Sequence, residues 1–110
     1  MPFVVIFMKY PSYVVNTVVK KALESVQKNL FPDDDSLYEV LVRSAWKVTE
    51  DGLRALSVCR VKEGKLEETL KSIYKEMIYY SEIEGYESSV EVWGTWQEAI
   101  EAMGIEIPEM

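Results

Sequence analysis

The sequence predicts an α+β domain in which an antiparallel sheet has helices on one face. Three observations lead to this prediction. The stretch FVVIFM (residues 3–8) is apolar throughout, segments 38–49 and 53–62 have the composition of two strands joined by a tight turn, and amphipathic helical patterns separate the strands. We expect one domain over residues 1–110, because a chain of this length can bury roughly two thirds of its unfolded surface.

The first strand and the first helix are predicted from apolar spacing. A strand over residues 3–8 is apolar on both faces, which is typical of a strand in the middle of a sheet. Pro11 and Ser12 then end the strand. A helix follows and ends near Asn29. Its apolar positions are Val15, Val18, Val19, Ala22, Val26 and Leu30. The acidic run 32–36 lacks the spaced ligands of a calcium loop and is predicted to be a solvated connection.

The hairpin between the two middle strands is predicted to turn at Asp51-Gly52, a pair that favours positive φ angles. This turn places Glu50 opposite Leu53. The same register places Val48 opposite Ala55, Trp46 opposite Ser57, Ser44 opposite Cys59 and Arg43 opposite Arg60. We interpret Cys59 as a small buried hydrophobic residue, since no basic residue is placed to lower its pKa.

The other face of this hairpin contains all three arginines of the chain, Arg43, Arg54 and Arg60. A solvated face, pairing with acidic residues of the C-terminal half within or between subunits, and a bound small-molecule anion all remain open. Leu41, Ala45, Leu56 and Val58 lie between the charges and favour a covered face. Residues 1–62 have nine basic and seven acidic side chains, a sum of plus 2, whereas residues 63–110 have three and twelve, a sum of minus 9.

The C-terminal half predicts a second helix, a fourth strand and a short third helix. Leu66, Leu70, Ile73, Tyr74, Met77 and Ile78 define the second helix, and Gly85 lies at or beyond its end. In the strand 88–93, Glu91 and Trp93 point toward the same face as the arginines. Thr95 and Glu98 form a capping-box pattern that begins the last helix. We interpret Trp96 as structural and Trp93 as the better site candidate.

Composition excludes several classes of function. The net charge of −7 argues against nonspecific nucleic-acid binding. The apolar N-terminal run is too short to span a bilayer and lacks the flanking features of a secretion signal, and the single cysteine permits no intrachain disulfide, so we expect a cytoplasmic protein with no membrane association. The absence of histidine and the scarcity of Asn and Gln are typical of thermophilic proteins.

The predicted order of elements is βαββαβ followed by a short helix, which is the ferredoxin-like pattern. Together with the doubly apolar first strand, the Asp51-Gly52 hairpin and the tail EGYESSVEVWGTWQEAIEAMG, it resembles the dimeric α/β barrel superfamily. The resemblance implies pairing of two copies through their open sheet faces and a pocket between helices and sheet. Haem-binding relatives use histidine, so no cofactor is expected. Cofactor-independent oxygenase relatives use asparagine, tryptophan and tyrosine, for which this chain offers Asn16, Trp93 and Tyr10.

These observations predict a homo-oligomeric protein, specifically a homodimer, with a role in binding or assembly. A small acidic ligand or the dimer seam would occupy the face that contains Arg43, Arg54, Arg60, Glu91 and Trp93. The alternative is a cofactor-independent, oxygenase-like enzyme acting on an aromatic small molecule, in which acid–base chemistry would fall to carboxylates such as Glu91. The sequence leaves open whether the protein is an enzyme.

Overall fold

The structure is a computed structural model, and it describes residues 1–106. It contains a sheet of four strands and three α-helices, with a short 3-10 turn before the first helix. The elements are β1 (Phe3–Tyr10), the 3-10 turn (Ser12–Val14), α1 (Val15–Gln27), β2 (Tyr38–Thr49), β3 (Gly52–Val61), α2 (Leu66–Tyr80), β4 (Glu87–Trp93) and α3 (Trp96–Ala102). The predicted α+β class with an antiparallel sheet is confirmed.

β1 lies in the middle of the sheet, as its apolar sequence predicts. The strand order is β2-β3-β1-β4, and β1 pairs antiparallel with both β3 and β4. Side chains alternate along a strand, so Val4, Ile6 and Met8 lie on one face, which we call the helix face. Phe3, Val5 and Phe7 lie on the other, which we call the open face.

The core forms where α2 packs on the helix face. Val4, Cys59, Val61 and Ile73 are buried together, and the half-buried residues Ile6, Tyr38, Leu66, Leu70, Met77 and Val90 pack against them. Burial raises the pKa of the Cys59 thiol, so this residue is a neutral part of the core, as predicted.

The hairpin turn lies one residue earlier than predicted. Thr49 pairs with Gly52, which makes Glu50 and Asp51 the two central residues. Asp51 does not adopt a positive φ angle, whereas Gly52 does, at 141°. A Cβ atom on residue 52 would lie 2.3 Å from the carbonyl oxygen of Tyr10. Glycine is therefore required by close packing of the hairpin against the end of β1 and not by the turn type.

The earlier turn and two irregularities in β2 overturn the predicted register. Trp46 lies opposite Ala55 instead of Ser57, and Cys59 lies opposite Val40 instead of Ser44. The pairing shifts again between Val40 and Val42 and between Val42 and Ala45. Arg60 consequently faces Glu39, and the predicted opposition of Arg43 and Arg60 is wrong.

α1 is less buried than its apolar spacing suggests. No residue of α1 is buried, and Val19, Val26 and the following Leu30 are exposed. The helix contacts the end of α2, where the hydroxyl of Tyr79 donates a hydrogen bond to the carbonyl oxygen of Lys21 at 3.0 Å. The helix ends at Gln27, near the predicted position, and Asn29 follows it with a left-handed φ of 51° that allows the two terminal hydrogen bonds of a Schellman motif.

The predicted capping box of α3 is present, but Trp96 at the start of this helix is not covered by other residues. The Thr95 hydroxyl accepts a hydrogen bond from the Glu98 amide at 3.1 Å, and the Glu98 carboxylate accepts one from the Thr95 amide at 2.9 Å. Trp96 is 71% exposed. Trp96 therefore lies on the surface of the single chain, and its structural role stays a prediction.

The chain exposes more surface than a compact monomer of its size. The accessible surface is 7962 Å², whereas a monomer of 12.7 kDa exposes about 6,200 Å². The radius of gyration is 16.2 Å, compared with about 13 Å for a compact domain of this length. Within the described residues no helix has the length and apolarity needed to cross a membrane.

Gly52→Ala is expected to lower the free energy of unfolding by about 3 kcal/mol, because the new Cβ would overlap the backbone of Tyr10 and Pro11 and the φ angle is positive. Gly64→Ala is the control, since Gly64 also has a positive φ but open space around it, and its cost should be only about 1 kcal/mol. Urea unfolding of both variants measures the difference. Equal costs would contradict the close packing at Gly52.

Candidate functional site

A cavity of about 180 Å³ lies between the helix face of the sheet and α2. Its apolar wall includes Ile6, Met8, Val40, Cys59, Ile73 and Met77. Polar groups at the wall and mouth come from Tyr80 and Tyr86, from Asp33 after α1, from Arg43 of β2 and from Glu76 of α2. An apolar concave site with a few convergent polar groups is the usual form of a small-molecule pocket.

Arg43 reaches this pocket because of the irregularities in β2. Its guanidinium donates to the Asp33 carboxylate, with nitrogen–oxygen distances of 2.5 and 3.5 Å. The acidic loop before β2 thus contacts that strand through Asp33. Within the loop, Asp34 accepts a hydrogen bond from the Ser36 amide at 2.9 Å. The sequence places Arg43 on the open face, and the structure corrects this placement.

Glu76 lies on α2 next to the ion pair. The residue as a whole is exposed, yet desolvation raises the pKa of its carboxyl group, and the Asp33 carboxylate raises it further while Arg43 lowers it. No salt bridge forms to Glu76 from any described residue. A carboxyl group in such surroundings can donate or accept a proton closer to neutral pH than an ordinary glutamate does.

A row of five aromatic rings lies beside the pocket, and three of them, Phe31, Tyr80 and Tyr86, line it. The ring centroids of Tyr10 and Tyr86 are 5.8 Å apart, those of Tyr86 and Tyr80 are 5.5 Å apart, and both pairs are stacked. Tyr79 and Phe31 continue the row through edge contacts. Burial raises the pKa of Tyr10, Tyr80 and Tyr86, so their hydroxyl groups are protonated and able to donate hydrogen bonds at neutral pH.

Three of the predicted site residues share one end of the open face. Arg60 lies beside Phe3, with its guanidinium 5.7 Å from the ring centre, and is paired with Glu39 at 3.4 Å. Trp93 lies on the other side of Phe3, and its indole nitrogen donates to Glu91 at 3.1 Å. These residues form an exposed, partly aromatic surface with internal charge pairs.

Arg54 lies at the opposite end of the open face. It pairs across the sheet with Lys47 on one side and Lys9 on the other, and Lys9 in turn pairs with Glu87. Like charges directly opposite each other destabilise a sheet unless an anion or acidic side chain is nearby. The five predicted residues therefore fall in three places: Arg60 with Glu91 and Trp93, Arg54 alone, and Arg43 in the pocket.

The residues that the superfamily resemblance suggests for oxygenase chemistry do not come together. Tyr10 and Trp93 lie at opposite ends of β1, because Trp93 pairs with Phe3, and seven residues of strand separate the two ends by about 23 Å. Asn16 is exposed on the first turn of α1. These three side chains therefore cannot form a single site within one chain.

Sequence reasoning missed Glu76 and Asp33 as pocket residues. One signal was available for Glu76, which lies three residues after Ile73 and four before Tyr80, at the boundary of the apolar face of α2. No signal was available for Asp33, because its position depends on how the loop folds against β2.

Comparisons of the chain with models of protein families, with curated proteins and with solved structures find no match. The site is therefore interpreted from its own geometry. That geometry suits a small molecule with a flat ring, which the aromatic and apolar walls would contact, and with one polar group directed toward Arg43 and Glu76.

Glu76→Gln is expected to make the protein more stable near neutral pH by about 0.5 kcal/mol, a small value because the residue is exposed. The folded protein holds this proton more tightly than the unfolded chain does, so ionisation costs stability as pH rises through the folded pKa. The advantage should vanish below 4.5, the ordinary glutamate pKa. Urea unfolding at several pH values, with Glu63→Gln as control, measures it. A pH-independent effect would disprove the assignment.

Proposed function

We propose that this protein is a homodimer that binds a small aromatic molecule in the pocket between its sheet and α2. The observation that supports binding most directly is the cavity itself, which combines apolar walls, stacked tyrosines and a polar mouth. Its volume of about 180 Å³ is somewhat larger than that of an engineered cavity of about 150 Å³ that binds benzene. A single substituted ring is therefore a suitable occupant.

We also assign the chain to the ferredoxin-like arrangement found in the dimeric α/β barrel superfamily. Two features support this finer assignment. The elements follow the order βαββαβ, and β1 and β3 occupy the centre of the sheet with β2 and β4 at its edges. Proteins of that superfamily pair through their open sheet faces, so the open face is the proposed dimer interface.

Surface area supports this assembly. The chain exposes about 1,700 Å² more than a compact monomer would, and a standard interface buries about 800 Å² per partner. The centre of the open face is apolar, with Phe7 of β1 next to Leu56 and Val58 of β3, and these three side chains are half-buried in the single chain. A second copy would remove their remaining apolar surface from water.

Charge on the open face supports self-association in particular. One end has Lys9, Lys47, Arg54 and Glu87, with a sum of plus 2, whereas the other has Glu39, Glu91 and Arg60, with a sum of minus 1. A two-fold axis that reverses the strand direction would place the basic end of one copy against the acidic end of the other, and a self-complementary patch is what such an interface requires. A small acidic ligand at the basic end is the competing interpretation, and it now depends on Arg54 and two lysines.

The second candidate function is a cofactor-independent enzyme acting on the same class of molecule. Glu76 favours it, because a carboxyl group with a raised pKa beside an aromatic pocket is a suitable general base. Native mass spectrometry of protein purified from its host would report the subunit number and any retained molecule. A retained molecule whose mass changes with time in the wild type but not in Glu76→Gln would support catalysis.

Leu56→Glu is expected to convert the dimer to a monomer, because it would bury a charge at the apolar centre of the proposed interface. Ile78→Glu is the matched control, since Ile78 is 70% exposed on α2 and lies away from the open face. Sedimentation velocity measures both, and circular dichroism verifies the fold. A Leu56→Glu variant that remains dimeric would disprove this interface.

Val42→Phe is expected to weaken binding of benzyl alcohol by about tenfold or more, because a larger side chain would fill the cavity that Val42 lines. Ser72→Leu fills it from the α2 side and serves as a second variant if the first unfolds. Val19→Phe on the exposed side of α1 is the control. Titration followed by NMR measures affinity, and unchanged affinity in both filled variants would place the ligand elsewhere.

A further inference from the structure

The charges that line the pocket do not cancel. Asp33, Arg43 and Glu76 are the charged residues of its lining, with a sum of minus one at neutral pH. Arg43 is engaged by Asp33 through both guanidinium nitrogens, so the Asp33 and Arg43 charges offset each other. The Glu76 carboxylate remains without an ion-pair partner among residues 1–106.

The neighbouring aromatic surface reinforces this negative character. Tyr80 and Tyr86 line the same cavity and stack with ring centroids 5.5 Å apart. The faces of aromatic rings attract cations, most strongly where water is excluded. A cation in the pocket could therefore contact both a carboxylate and tyrosine rings.

Three types of ligand head group can be compared on these grounds. An anion would have to displace Asp33 from Arg43 and would be repelled by Glu76. A neutral molecule would leave the Glu76 carboxylate without an ion-pair partner and would cover part of it from water. A protonated amine would pair with Glu76 and leave the Asp33–Arg43 ion pair intact.

We propose that the occupant of the pocket is a small aromatic amine in its protonated form, with its ammonium group against Glu76 and its ring between the tyrosines and the apolar wall. This inference rests on the proposed function of the pocket and specifies its ligand class. It departs from the acidic ligand expected from the arginines, because Arg43 is already paired and Arg54 and Arg60 lie on the other face.

The groups that face Glu76 also define how binding should depend on pH. They are Asp33 from the loop after α1, Tyr38 and Arg43 from β2, Tyr80 from α2 itself and Tyr86 before β4. The tyrosines are neutral and Arg43 is charged throughout the range in which Glu76 ionises. Affinity for an ammonium ligand should therefore rise with pH as Glu76 loses its proton, and this dependence should disappear in Glu76→Gln.

The experiment compares three probes that share one ring, namely benzylammonium, benzyl alcohol and benzoate, by calorimetric titration near neutral pH. We expect benzylammonium to bind about fivefold more tightly than benzyl alcohol, as expected for a partly exposed ion pair, and benzoate to bind most weakly. In Glu76→Gln the ratio of the two affinities should fall from about five to about one, because only the ammonium group loses an ion-pair partner. Glu63→Gln is the matched control and should keep the wild-type preference.

Each other outcome has a separate meaning. Equal affinity for benzylammonium and benzyl alcohol would overturn the amine inference and leave the pocket as a ring-binding site. Tightest binding of benzoate would overturn it in favour of Arg43 as the ligand partner. Failure of all three probes to bind would overturn the proposed binding function itself, together with the inference that depends on it.

Discussion

The arrangement of this protein depends on one constraint, the burial of β1 on both faces. Val4 and Val5 are both buried although they point to opposite sides of the sheet. One layer of cover comes from α2, whose Ile73 packs against Val4. On the other side Val5 lies between Val58 and Glu91 and is already buried in the single chain, whereas Phe7 is only half-buried. A cover over that side would therefore gain free energy from the residual apolar surface of Phe7 and its neighbours, and not from Val5.

The irregular part of β2 determines what each face can do. An unbroken strand would keep Arg43 on the open face, where Arg60 already lies. The two shifts between Val40 and Ala45 instead bring Arg43 to Asp33 and leave Glu39 opposite Arg60. β-bulges often redirect a side chain in this way near functional sites. One local change thus gives the pocket its positive charge and the open face its internal pairing.

The sequence predicts the fold class, the central position of β1, the burial of Cys59 and the capping box at Thr95, because each follows from local spacing or local hydrogen bonding. The hairpin register failed because Glu50-Asp51 and Asp51-Gly52 are both acceptable turn centres, and only the contact of Gly52 with Tyr10 distinguishes them. The bulges and the Asp33–Arg43 ion pair depend on tertiary packing, which the spacing of apolar residues along the sequence does not predict. The exposure of α1 was missed for a related reason, since an amphipathic pattern predicts an apolar side but not the surface that covers it.

The pocket and the open face are close enough to influence each other, since only one layer of backbone separates them. Ile6 and Met8 line the pocket, while Val5 and Phe7, their immediate neighbours in β1, belong to the open face. A ligand that fixes the side chains of one face therefore restricts the same strand that forms the other. Because a dense protein interior transmits small displacements, the proposed ligand binding and the proposed self-association should be thermodynamically coupled, each altering the affinity of the other by the same factor.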